Sequence, residues 1–516
     1  MRKTILLLLG VVLLWSCNEH DFLPNDRATT PYSSFTVSVD TVNKFYLVDM
    51  KCVPAGDTLS LMLPEWMPGA YNIYNFSKNV ASFSASDNKG NALSYYKPQV
   101  YNWKIPCKDV DTVCVSYKIF SNVQTKIYQE AGRINKNMAL MLPASVFFYQ
   151  EGEKDKPVHV HFNVPADWTN MTTPLEDEGN FTFTAKDVDE LYDSPFFVGK
   201  QERIFFEQSG HKYEIAYWGG LGIQRDSVLA HIDIFKNAAS AVEKMMGYIP
   251  YNRYCFMLLY GSEDCLEHRA CQTDYRGSNV FQAGRTSNDI FRFSTDIYHE
   301  FFHVWNSKII KPIELGPFDY QHTVPCNMLW FIEGVTEYYA EKMLLKNGEM
   351  SVDFYKDYAS TGIERIQTRS AYKVMSLEQA SIDTWMFVND GTEEYDYDTI
   401  FPNYYIKGCI VGFFMDVFMV NATGGKKSLD DFMHTLDRFC TSNNRGFTKA
   451  EFWKIYKEMC GCDISQLLKY VETTEELDYD KMLQPVGWKV NKSTWEIEDV
   501  DNPTATQLKY RSIVAN

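Results

Sequence analysis

The hydrophobic pattern changes period part-way along the chain, and that change limits the possible folds more than any other feature. From about residue 30 to 200, apolar residues alternate with polar ones: Phe35, Val37 and Val39; Val113, Val115, Tyr117 and Ile119; Val158, Val160, Phe162 and Val164. Period two marks half-buried strands, and turn residues (Asn88-Lys-Gly, Pro165, Glu178-Gly) separate the runs. Short strands at this spacing predict an all-β sandwich. From about residue 206 the texture differs. Residues 212–218 read as a strand, 227–246 as an amphipathic helix, Arg253–Tyr260 as a near-continuous apolar strand, and 293–307 as a helix. After 403 the chain is mostly helical, with helices predicted over 404–420, 428–440, 449–459 and 464–471. The stretch 409–420 is strongly apolar but short and carries Asp416, which predicts a buried core helix and not a membrane span.

At 516 residues there is room for two to four domains. A net charge of −17 argues against nucleic acid as a partner, because a phosphate backbone requires a basic footprint. His159 and His161 form an H-x-H pair on the polar face of a predicted strand, where solvent exposure explains them without a metal.

The first 17 residues have the form of an export signal: Arg2 and Lys3, then an apolar run over 5–15 that is too short to span a bilayer. It ends Leu14-Trp15-Ser16-Cys17, which resembles a bacterial lipobox and implies lipidation at Cys17, followed by a polar tether over 18–30. The expectation is a lipid-anchored protein of the cell envelope, at the outer membrane or cell surface. In an exported protein some of the other cysteines can pair; Cys107 and Cys114 are the nearest strand-compatible candidates. Cys460-Gly-Cys462 lacks a second half with metal spacing and reads as structural.

Residues 299–308 read HEFFHVWNSK. Four residues apart on a helix, His299 and His303 present two imidazoles to one zinc ion, while Glu300, rotated by about 100°, flanks the metal as a general base. Glu300 is then placed to take a proton from metal-activated water and deliver it to a leaving amine. A catalytic zinc needs a third protein ligand and an open position. Glu333, in Trp330-Phe-Ile-Glu-Gly-Val-Thr-Glu-Tyr-Tyr339, begins a second predicted helix and supplies the distant glutamate of the thermolysin-like ligand set. Glu337, one turn on, is either a support for a ligand or exposed. Asp296, one turn before His299, is a candidate to hydrogen-bond a ligand histidine.

The run from His299 through Trp305-Asn306-x-Lys308, Lys311-Pro312, Pro317-x-Asp319-Tyr320 and Leu329-Trp330-x-x-Glu333-Gly-x-Thr336 resembles the glycyl aminopeptidase family of zinc metallopeptidases. Leu61-x-Leu-Pro-x-Trp66-x-Pro-Gly69 resembles that family's N-terminal β domain, and Tyr404-Tyr-x-Lys-Gly408 its helical region. The resemblance implies a multidomain α+β chain: a β-sandwich over 31–205, a thermolysin-like zinc peptidase domain over 206–400, a helical domain over 401–490 and a short tail over 491–516, expected to form one or two strands or an irregular wrap. The PDZ domain of many members is not expected here. The resemblance also implies Zn2+ held by His299, His303 and Glu333, Glu300 as base, and a tyrosine of the pair 404–405, with Tyr404 preferred, donating to the oxyanion. Cys265-Leu-Glu-His268 stands where the family has Gly-Gly-Leu-Glu-His, making Glu267 the expected anchor for a peptide's α-amine. Asp264 and Cys265 replace both glycines, which leaves an endopeptidase open as the alternative to an aminopeptidase, alongside a catalytically silent binding protein.

Overall fold

The structure is a computed structural model that describes residues 32–121, 132–219, 225–260, 271–275, 277–283, 290–386 and 401–515. The leader with Cys17, and the segment carrying Asp264, Cys265 and Glu267, lie outside the described residues.

The alternating N-terminal runs form a seven-stranded sheet, in the order Thr182–Ala185, Val158–Asn163, Ser33–Asp40, Phe45–Cys52, Val113–Phe120, Val80–Asp87, Ala92–Leu93. One pair, Ser33–Asp40 with Val158–Asn163, is parallel; the other pairings are antiparallel. The inward members of each alternation (Phe35, Val37, Tyr46, Val48, Val115, Tyr117, Val160, Phe162) are buried in one core with two four-stranded sheets. This is the sheet-on-sheet layering that period two requires. The outward His159 and His161 meet Thr184 and Thr182 across the strand pair, with Nδ1···Oγ1 distances of 2.9 and 3.0 Å. Their role is cross-strand hydrogen bonding.

The candidate Cys107–Cys114 pairing is corrected: neither cysteine forms a disulfide. Cys107 follows a strand of one four-stranded sheet and is buried, whereas Cys114 lies on the seven-stranded sheet, on the face opposite Val113 and Val115. Cys460 and Cys462 are instead joined to each other.

The next sheet has five strands, in the order Glu202–Gln208, His211–Gly219, Arg253–Tyr260, Ser278–Ala283, Cys271–Tyr275. Its three middle strands are parallel and its two edges antiparallel. Past Arg253, which pairs with Glu214, the strand Arg253–Tyr260 is apolar because both of its faces are covered. Tyr254, Phe256 and Leu258 join a core with the helices, while Cys255, Met257 and Leu259 join the core of the N-terminal sheets.

Between the parallel strands runs α1 (Ile232–Met246). The single helix expected from 227 is broken at His231, whose Nδ1 lies 2.8 Å from the Ser227 carbonyl while its backbone N–H turns to Val228. The side chain takes the acceptor that would have continued the helix. Helix α2 (Ile290–Phe302) carries the HEFFH sequence and ends earlier than the 307 expected. Asn306, fully buried, donates to the Phe331 and Ile332 carbonyls and to Thr336 Oγ1, so the chain turns here to meet the next element.

That element starts as a π-helical turn, Trp330–Val335, and continues as α3 (Thr336–Lys346). Helix α4 (Tyr404–Ala422), capped by Asn403, packs against the π turn. It is long and apolar enough to cross a membrane, yet most of it is buried inside the protein. Its Asp416, fully buried, accepts from Tyr338 OH and Lys342 Nζ of α3 (both 2.6 Å) and from the Leu429 N–H that opens α5 (Leu429–Asn443). After the hairpin Trp488–Val490 with Ile497–Asp499, the tail ends in α6 (Ala505–Ala515), a helix where strands or an irregular wrap were expected.

Candidate active site

Helix α2 places His299 and His303 one turn apart, with their Nε2 atoms 3.0 Å from each other. The π turn delivers Glu333, whose Oε2 lies 3.5 Å from His299 Nε2 and 3.3 Å from His303 Nε2. All three are buried, so three ligand atoms converge in a space shielded from water. Around a tetrahedral zinc with metal–nitrogen bonds of about 2.0–2.1 Å, neighbouring ligand atoms stand roughly 3.3 Å apart. The observed triangle fits that spacing and the nitrogen–oxygen donor set.

The other ring nitrogens fix the imidazoles. His299 Nδ1 is 2.9 Å from Glu337 Oε2, and His303 Nδ1 is 2.8 Å from the Asn306 carbonyl. With acceptors at both Nδ1 positions, a proton stays on each Nδ1, and Nε2 is the ring nitrogen that faces the centre. Glu337 thus supports a histidine from the second helix; the sequence left it undecided between that and exposure. The carboxylate that meets His299 Nδ1 is that of Glu337.

Charge is concentrated here. Burial works against an imidazolium at His299, but Glu333 and Glu337 outweigh it and hold its pKa well above the ordinary value. Burial alone would raise Glu333, yet His303 and His299 hold its carboxyl well below the usual range. Glu300 follows His299 on the same helix, nearly buried, and its charge also acts on that histidine.

The tyrosine pair opens α4. The Tyr405 ring stacks on His299 with centroids 6.2 Å apart, whereas the Tyr404 hydroxyl lies 3.3 Å from Thr384 Oγ1. Gly408 lets α4 approach the π turn: a Cβ there would stand 2.5 Å from the Trp330 carbonyl oxygen.

One contact was missed from sequence. Tyr71, from the N-terminal domain, donates its hydroxyl to Glu333 Oε1 at 2.8 Å. The signal was the Leu61–Gly69 block two residues before it, read only as a feature of the β domain. The structure explains that block. Trp66 Nε1 donates to the Asp319 carbonyl at 2.7 Å, the Glu65 N–H donates to the Tyr320 carbonyl, and the Trp66 ring sits among Phe318, Tyr320 and Trp385. Two separated sequence blocks are the two sides of one interface.

Paired histidines on one helix, a glutamate from the next and a second glutamate beside them are the working parts of a metallopeptidase. Residues 34–200 match the family model for the Peptidase M61 N-terminal domain and residues 293–411 that for M61 glycyl aminopeptidase, together more than half of the chain. The chain belongs to the M61 glycyl aminopeptidase family. Among solved structures it is similar to an aminopeptidase N family protein from Idiomarina loihiensis, with TM-score 0.80 and 20% identity over 89% of this chain and 79% of that one. It is also similar to an M1 zinc metallopeptidase from Deinococcus radiodurans (TM-score 0.52, 13% identity, 86% of this chain and 94% of that one). Yeast LTA4 hydrolase in complex with Bestatin gives TM-score 0.52 and 12% identity over 90% of this chain and 73% of that one. At such identities the likeness is one of fold. No curated protein sequence matches the chain.

Proposed function

We propose that the protein is a zinc-dependent aminopeptidase acting on peptides, with His299, His303 and Glu333 as metal ligands. The observation that carries this is the convergence of those three ligand atoms, with Glu300 following His299 on the same helix. Zinc, when bound, supplies a Lewis acid that polarises the scissile carbonyl and makes water more acidic. Glu300 takes the proton of the attacking water and passes it to the departing amine. A hydroxyl of the tyrosine pair donates to the developing oxyanion; its position against His299 supports Tyr405 over Tyr404. Glu267 pairs with the charged α-amine of the substrate, which would restrict cleavage to the first residue. We further propose export and lipid attachment through Cys17, supported by the basic, apolar and lipobox-like order of the leader.

The test uses a soluble form beginning after Cys17, loaded with zinc, and peptides with free or acetylated N-termini. Glu300→Gln, which is expected to keep zinc and lose turnover by about 10²–10⁴-fold, serves as the blank. Release of single residues from free N-termini alone supports the aminopeptidase. Equal cleavage of both pools makes it an endopeptidase, the reading that Asp264 and Cys265 in place of glycines would favour. No cleavage beyond the blank in zinc-loaded protein removes the peptidase reading for these substrates.

A further inference from the structure

We propose that Tyr71 is a positioning residue of the metal centre: supplied by the N-terminal domain, it fixes the carboxylate of Glu333 so that one oxygen faces the two histidines. The inference rests on the zinc-peptidase reading above.

The two carboxylate oxygens of Glu333 have different neighbours. Oε2 lies within 3.5 Å of both imidazole Nε2 atoms, and Oε1 accepts the Tyr71 hydroxyl at 2.8 Å. A carboxylate that uses one oxygen for a metal can rotate about its last bond, swinging the second oxygen inward or the first away. A hydrogen bond to the second oxygen removes that freedom, and such outer contacts tune metal affinity. The hydroxyl is neutral, so it orients the ligand without cancelling its charge.

The segment that delivers Tyr71 is itself fixed. Gly69 adopts φ +86°, a turn that a side chain resists, and Trp66 three residues earlier is buried in the aromatic cluster of the interface. The Tyr71 ring adds an edge contact to Trp385, with centroids 6.0 Å apart. Around Tyr71 and Glu333 is a pocket of only about 30 Å³, also lined by Trp66, Pro68 and Lys308.

The experiment measures zinc affinity by competition with a chromophoric chelator for the wild type, Tyr71→Phe and Tyr46→Phe. Tyr46 is a control in the same domain: its buried hydroxyl donates to the Leu140 carbonyl, within the N-terminal core. Tyr71→Phe is expected to bind zinc about 10-fold or more weakly, with Tyr46→Phe unchanged. Peptidase activity of Tyr71→Phe should be low at limiting zinc and recover in excess zinc, and its metal-free form should melt with the wild type. Wild-type zinc affinity in Tyr71→Phe overturns the inference. So does a loss that excess zinc leaves uncorrected and that accompanies a lower melting temperature of the metal-free protein, because that marks general damage. If the wild type itself binds no zinc, the peptidase reading fails first and the inference falls with it.

Discussion

Lys407 is almost fully buried on α4 and has no acidic partner among the described residues; burial pushes its pKa down from 10.5 to about 8. The unfolded chain therefore holds this proton more tightly than the folded one. Stability rises with pH between about 8 and 10.5, and the cost is fully present below 8. A shift of that size corresponds to roughly 3 kcal/mol. Lys407→Met should therefore stabilise the protein at pH 7 by up to about that amount, with the advantage shrinking as pH rises through the window. Denaturant melts at several pH values check this, and a difference constant with pH would refute it. The tyrosines beside it make a second case. Tyr405→Phe should lower kcat by about 10²-fold or more with KM little changed, while Tyr404→Phe, whose hydroxyl meets Thr384, should act far less. Steady-state kinetics of both variants decides the assignment, and the reverse order would return the role to Tyr404. Residues of this kind differ in how far sequence exposes them. His299, Glu300 and His303 were legible because one helix turn fixes their relation. Tyr71 was not, because it stands 262 positions from its partner and only the docked interface brings them together.

Two elements at the site meet without side chains between them. Gly334 of the π turn and Gly408 of α4 face each other, and a Cβ on either would stand 2.5 Å from backbone atoms of the opposite segment. Gly408→Ala should therefore cost about 1–3 kcal/mol and displace the turn that carries Glu333. Thermal melts combined with a chelator-competition assay test both parts: stability and zinc affinity should fall together. Periodicity predicted where most elements lie but not how they end. The HEFFH helix stops at Phe302 because Asn306 is committed to the following segment, and the helix expected from 227 breaks because His231 takes its own acceptor. The π turn had no sequence signature, since an insertion of that kind is set by what the turn must reach. Tail residues 505–515, expected as strand or irregular wrap, are helical and pack against α4 and the Trp488 region.

At the scale of the whole molecule, sequence conveyed the order of layers but not how they are joined. The apolar run Arg253–Tyr260 marks a buried strand, but nothing in it says that alternate residues serve different cores. Separating the halves would uncover Ala216, Cys255, Met257 and Leu259 on one side and the sheets they cover on the other. A chain of residues 201–516 made alone, which keeps the edge strand Glu202–Gln208, should thus be insoluble or bind hydrophobic dyes, and co-production with 18–200 should restore a soluble complex. A soluble, dye-silent 201–516 would refute the shared core.

The five-stranded sheet has a consequence for descent as well. A sheet clothed on one face by its own helices and on the other by a neighbouring domain cannot be lent to a different partner without exposing bare apolar surface. Gene fusions that cut the chain near residue 200 would yield two orphans instead of two modules. The halves should therefore be inherited as a single unit, and change along their seam should come in compensating pairs, Trp66 with Phe318 and Tyr320 among them.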